Sequence, residues 1–150
     1  MPVLFLENSS KSMGGLKNIF KRSKTVPSTL FSPKLDAILG FKVKSPLYYE
    51  LAFLHKSVHK TNAEGVPQNY ERLEFLGDAV LGMVIANFLY HKVPDGDEGY
   101  LTEMRSKIVS RAHLNELGKE LNLQQFLNAG DTGNQFGENV YGNLFEALVG

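Results

Sequence analysis

The run NYERLEFLGDAVLGMVIANFLYHK, from Asn69 to Lys92, constrains this chain more than any other feature. It is long, free of proline and apolar on nearly every side, so it reads as one helix with Asn69 as its N-cap. A helix apolar nearly all round belongs in a core, and Phe75 reads as part of that core. Yet Glu71, Glu74 and Asp78 sit in its first turns. At about 100° per residue, Asp78 lies about 40° and Glu71 about 60° from Glu74, so the three acids share one narrow sector. Leu81 and Ile85 continue that sector as apolar, while Leu73, Leu76, Val80, Met83 and Val84 cover the other side. Gly77 and Gly82 each cost about 1 kcal/mol in a helix interior relative to Ala, a cost that close approach of another helix explains.

First-turn acids complement the helix dipole, which accounts for Glu71 and Glu74 but not for Asp78 further in. Paired carboxylates without a basic neighbour on their own helix repel each other, and burial raises that cost. A divalent cation or a distant Arg or Lys resolves the conflict. A second pair favours the cation. Asn143 and Glu146 are three apart in YGNLFEALVG and share a helix face. If the two helices pack side by side, Glu74, Asp78, Glu146 and the Asn143 amide converge into an oxygen-rich site of the kind that suits Mg²⁺.

The rest of the chain reads as helical. KLDAILGF is a short helix, SPLYYELAFLHKS opens with Pro46 in its first turn, and EGYLTEMRSKIVSRAHLNELGKELNL divides into two helices. No strand-like alternation persists, so the expected class is all-α. Residues 1–33 are small, basic and proline-bearing, a flexible leader with a short helix near LKNIFKR, ahead of one domain over residues 34–150. The last helix runs to Gly150 without a cap, which makes the chain read as a C-terminally incomplete domain.

Charge divides the chain. Residues 1–60 hold ten Lys/Arg against three Asp/Glu, and residues 61–150 hold six against thirteen. A basic front half meets a polyanion or is simply a solvated surface. Arg105, Lys107 and Arg111 cluster in sequence and either contact the phosphates of a polyanion or form a solvated face. The absence of cysteine excludes disulfides and thiolate metal sites and fits a reducing compartment. By its apolar runs the chain reads as lacking the ~18-residue stretch of a membrane span, and the N-terminus lacks a signal-peptide pattern, so a cytoplasmic location without a membrane partner is expected. His55 and His59 have a metal-like spacing but no third ligand, and read as one structural and one surface histidine. The glycine-rich GDTGNQFGENVYG lacks a P-loop ending and reads as a mobile connector.

ERLEFLGDAVL resembles the signature motif of the ribonuclease III family, and LAFLHKS, the 99–123 segment GYLTEMRSKIVSRAHLNELGKELNL and GNLFEALVG follow in the family's order. The resemblance implies the ribonuclease III endonuclease fold and a homodimer. It also implies Mg²⁺-dependent cleavage of double-stranded RNA, with Mn²⁺ as a substitute, leaving 5′-phosphate and 3′-hydroxyl ends in RNA processing, ribosomal RNA included. By motif, Glu74 and Asp78 resemble the metal-binding acids, Glu71 a supporting acid, Glu146 the essential later glutamate, and Phe75 an aromatic that packs into the partner subunit. Catalysis is thus expected at Asp78 and Glu146, and metal binding at Glu74, Asp78, Asn143 and Glu146. The family pattern has Asp where this chain has Asn143, and many members add a double-stranded-RNA-binding domain that this sequence does not contain. A catalytically impaired relative that grips RNA or protein is the alternative.

Overall fold

Residues 33–130 and 136–150 are described in a computed structural model. The leader, with its expected helix and lysines, lies outside these residues except for Pro33, as does the middle of the glycine-rich connector. The order is α1 (Pro33–Leu39), α2 (Leu47–Ala52), a 3-10 turn (Lys56–Val58), α3 (Glu71–Lys92), α4 (Glu98–Ile108), α5 (Arg111–Glu120), a second 3-10 turn (Leu123–Phe126) and α6 (Val140–Val149). There is no β-strand among the described residues, only the isolated bridges Leu54–Asn128 and Thr61–Pro67. The all-α expectation holds.

Local chemistry sets the boundaries. Asp97 Oδ1 accepts from the Tyr100 N–H at 2.8 Å to start α4, and the Ser110 hydroxyl accepts from the His113 N–H at 3.3 Å to start α5. Asn69 acts one residue earlier than a formal cap, its Oδ1 accepting from the Glu71 N–H at 3.0 Å. Pro46 precedes the first turn of α2. Gly40, at φ +74°, ends α1 in the left-handed conformation, and Asp36 Oδ1 receives the Val43 N–H to fix the turn that follows.

The centre of the domain is α6, not α3. Val140, Gly142, Leu144, Glu146 and Ala147 of α6 are buried, and Leu144 joins Leu35, Phe53 and Leu123 as a fully enclosed side chain. Phe53 and Phe126 pack with ring centroids 5.2 Å apart beneath it. On one side α6 meets α3, where a Cβ at Gly77 would overlap the Glu146 carbonyl. On the other it meets α5, where a Cβ at Gly118 would overlap the Tyr141 carbonyl.

This corrects the reading of α3 as a core helix. Only Gly77 and Leu89 of α3 are buried, and Phe75, Met83 and Tyr90 are 79%, 65% and 68% exposed. The helix packs against α6, α4 and, less extensively, α2, and the rest of its apolar surface has no neighbour among the described residues. Gly77 provides the close approach expected of it, whereas a Cβ at Gly82 would enter open space. α3 also has the length and hydropathy of a membrane span, which corrects the reading that no apolar run is long enough. Its seating against α6 at Gly77 instead makes it part of the helical domain.

The two glycines are expected to behave oppositely. Gly77→Ala must separate α3 from α6 and lose roughly 2 kcal/mol or more of stability. Gly82→Ala should be neutral or gain up to ~1 kcal/mol from helix propensity. Denaturant unfolding of the two variants beside the parent checks both.

Candidate active site

Gly77 builds the site by what it lacks. Because no side chain stands there, the α6 backbone at Glu146 lies directly against α3, between the turns that carry Glu74 and Asp78. The result is an open cleft of about 520 Å³. Glu71, Glu74, Phe75 and Asp78 of α3 line it together with Asn143 and Glu146 of α6. Lys56, Tyr70 and Arg111 complete the wall. The sequence-predicted acids and the Asn143 amide therefore share one cavity, although their residues come from helices about seventy positions apart in sequence.

Glu146 is the most enclosed acid, 5% exposed, and no ion pair reaches it among the described residues. Burial pushes its carboxyl above the usual range; Arg111 pulls it back, and Glu74 and Asp78 push it further up. Burial likewise raises the Glu74 carboxyl against the opposing pull of Arg111, with Glu71 and Asp78 adding to the rise. Asp78 is solvent-exposed at the cleft mouth. Four carboxylates face two cations across this cavity, so negative charge is in excess. Among the described residues, no three acidic or imidazole side chains stand at metal-coordinating separation.

The two cations differ. Lys56 reaches Glu71 at 3.1 Å, a partly exposed pair of modest worth, and Asn69 Nδ2 donates to the other Glu71 oxygen at 3.4 Å. Arg111 makes no ion pair within 4.0 Å of any acid among the described residues; its Nη1 donates to Asn143 Oδ1. Buried Tyr70 lines the same cleft; burial holds its phenol above the ordinary range, and the Asn143 side chain opposes that rise. The rival reading of the acids, direct neutralisation by a distant base, is thus met only for Glu71.

Arg105, Lys107 and Arg111 do not form one cluster. Lys107 pairs with Glu103 at 2.7 Å along α4, Arg105 is half-buried on the same helix, and of the three only Arg111 lines the cleft. Sequence reasoning missed Lys56 and Tyr70, because nothing periodic ties either to the acids of α3. Phe75, expected in the core, stands exposed at the cleft's edge. His55 is half-buried, its Nδ1 2.7 Å from the Ser57 hydroxyl and its ring against Tyr70 and Phe136, with burial and then Lys56 lowering its pKa. His59 is exposed.

An all-helical domain whose two principal helices enclose an acid-lined cleft defines the class. The model of the ribonuclease-III-like family matches residues 47–150, and the chain belongs to that family. It is 57% identical to ribonuclease 3 of Flavobacterium psychrophilum and 54% identical to ribonuclease 3 of Zunongwangia profunda. Each alignment covers 92% of this chain and 56% of the relative, so the chain spans about half the length of these curated relatives. Among solved structures, the nuclease domain of ribonuclease III from Campylobacter jejuni superposes with a TM-score of 0.66 at 30% identity, over 77% of this chain and 79% of that one. Dicer from Pichia stipitis superposes at 0.52 with 32% identity, over 72% of this chain and 45% of that one. The fold is that of ribonuclease III nuclease domains.

The Glu146 environment has a consequence for stability. A carboxyl whose folded pKa is raised contributes stability that is fully present below its ordinary value of 4.5 and is lost as pH rises through the folded value. Glu146→Gln is therefore expected to be more stable than the parent at pH 7 in metal-free buffer, with the advantage fading as pH falls through the raised folded value and gone below 4.5. Thermal melts of both proteins in EDTA at the two pH extremes test this. Equal melting temperatures at neutral pH would contradict it.

Proposed function

We propose that this chain is the nuclease domain of a ribonuclease III-type endoribonuclease that hydrolyses double-stranded RNA with Mg²⁺, or Mn²⁺ in its place. The observation that carries this reading is the convergence of Glu74, Asp78 and Glu146 on one cleft with uncompensated negative charge. The names of its relatives support it. Carboxylates and an amide oxygen are hard donors that fit Mg²⁺, and flexible glutamate and aspartate side chains have the rotamers to close on an ion. Bound there, a divalent cation supplies polarisation of a phosphoryl oxygen and an acidified water.

In this reading Glu74, Asp78 and Glu146 would hold the ion, Asn143, whose Oδ1 accepts from Arg111, would stand beside it, and Glu71 would support the group. The water oxygen bonds to phosphorus as the bond to the 3′-oxygen breaks. The phosphate stays on the 5′ side, and the departing 3′-oxygen takes up a proton. Duplex RNA suits such a site because it is recognised through shape, phosphates and 2′-hydroxyls. Arg105 and Lys107 serve as outlying phosphate contacts. The biological role is processing of RNA, ribosomal RNA included, in the cytoplasm.

The proposed assembly is a homodimer through the uncovered apolar side of α3. A solved structure of the Campylobacter jejuni nuclease domain concerns flexibility in a region involved in that protein's dimer formation. Phe75, at 79% exposure, is an apolar anchor of the kind that dominates interfaces.

A duplex-binding module without turnover is the second reading. It is favoured by Arg111 in the cleft and by Asn143 standing where the family pattern has an acid.

A cleavage assay separates the two. The protein should cut a generic RNA duplex in Mg²⁺ and stop in EDTA. Glu146→Gln and Asp78→Asn should each lower the rate by roughly 10³-fold or more, the several kcal/mol expected of a lost metal ligand. Well-folded protein that binds duplex yet never cleaves it in any divalent metal would support the second reading. For assembly, Phe75→Glu should raise the dimer dissociation constant by about 30-fold or more, a hot-spot loss of roughly 2 kcal/mol. Sedimentation velocity across a concentration series reads it directly, and a parent that stays monomeric throughout refutes the dimer.

A further inference from the structure

We propose that Asn143 is a positioning residue that presents Arg111 to a backbone phosphate of duplex RNA lying across the cleft. The inference rests on the ribonuclease reading above and assigns the cleft a phosphate-binding group distinct from its acids.

Three observations carry it. Arg111, the first residue of α5, hydrogen-bonds to Asn143 on α6, thirty-two residues away in sequence. Asn143 in turn interacts with buried Tyr70, which lines the same cavity. Finally, Arg111 stands in a cavity with four carboxylates and pairs directly with none of them, while the other cation there, Lys56, is engaged by Glu71. One bond to Asn143 leaves most of the guanidinium's N–H donors for a ligand.

The identity of residue 143 matters for this role. A neutral amide holds a guanidinium through one oxygen without quenching its charge. A carboxylate at the same position would take Arg111 as a bidentate ion pair and withdraw both charge and donors from the cleft. Phosphate is the ligand a planar, permanently charged fork is suited to grip. A phosphate approaching four carboxylates also needs a cation placed in advance.

Fluorescence-anisotropy titration of a labelled blunt RNA duplex, in EDTA over a range of salt, isolates binding from catalysis. Arg111→Ala and Arg111→Gln should each lower the slope of log affinity against log salt by about one, the loss of one phosphate contact. Asn143→Ala and Asn143→Asp should produce the same loss, and Arg111→Ala combined with Asn143→Ala should lose no more than either alone. Arg111→Lys, which keeps the charge, should retain most of the slope. In Mg²⁺ Arg111→Ala and Arg111→Gln should raise KM more than they lower kcat. A parental slope in Asn143→Ala, or in Arg111→Ala, overturns the proposal while leaving the ribonuclease reading standing. So does an additive double variant. A parent that neither binds nor cuts the duplex overturns both. Arg111 is exposed, so its variants are expected to fold, and unchanged melting temperatures confirm that the slope reports contact with RNA.

Discussion

The backbone contact between α3 and α6 at Gly77 sets both the packing of this domain and the placement of its acids. Two helices normally stand 8–10 Å apart because side chains separate them. Here one residue has none, and the peptide of Glu146 occupies the space. The glycine costs helix propensity of about 1 kcal/mol, and the buried glutamate costs more in lost hydration. The glycine is required by the close backbone approach, but the buried glutamate is not explained by packing, since an apolar side chain would serve a purely structural helix pair better. A site that must bring carboxylates from separate helices within reach of one another explains it.

Much of this arrangement is legible in the sequence, and the reasons differ by feature. The acid sector of α3 follows from helical periodicity, since Glu71, Glu74 and Asp78 lie three to seven residues apart on one continuous helix. The same holds for Asn143 and Glu146. Helix boundaries are readable because Asp97, Ser110 and Asn69 cap through short-range bonds. What sequence does not carry is partnership. Gly77 and Gly82 look alike in a helix, yet one meets another backbone and the other meets nothing. Lys56 finds Glu71 fifteen residues on and Arg111 finds Asn143 thirty-two residues on, and no period links either pair. The grouping of Arg105, Lys107 and Arg111 failed for the same reason. The chain turns between α4 and α5, so neighbours in sequence point to different surroundings.

The misreading of α3 has a specific cause. Hydropathy states that a surface avoids water but not which molecule covers it. α3 is apolar nearly all round, whereas the described residues supply neighbours for only part of its circumference. The shorter α6, flanked by α3 and α5 and bearing glycine at 142, becomes the buried helix instead. An excess of apolar surface on a helix that also bears the acids is itself informative, because monomeric domains rarely leave large aromatic and aliphatic side chains together in solvent.

The sides of α3 are therefore assigned to different contacts. The Gly77 side meets α6, the side of Glu74 and Asp78 opens into the cleft, and Phe75 projects roughly 100° from Glu74 along the helical turn. Phe75 both lines the cleft and stands in solvent. Whatever covers Phe75 must also form part of the cleft's rim. In the proposed homodimer, subunit association and the shape of the active site thus become one problem: each partner closes a wall of the other's cleft, lowers the local dielectric around Glu74, and strengthens every charge interaction made there. A cation held among those acids then gains from assembly, and by linkage assembly gains from the cation to the same degree.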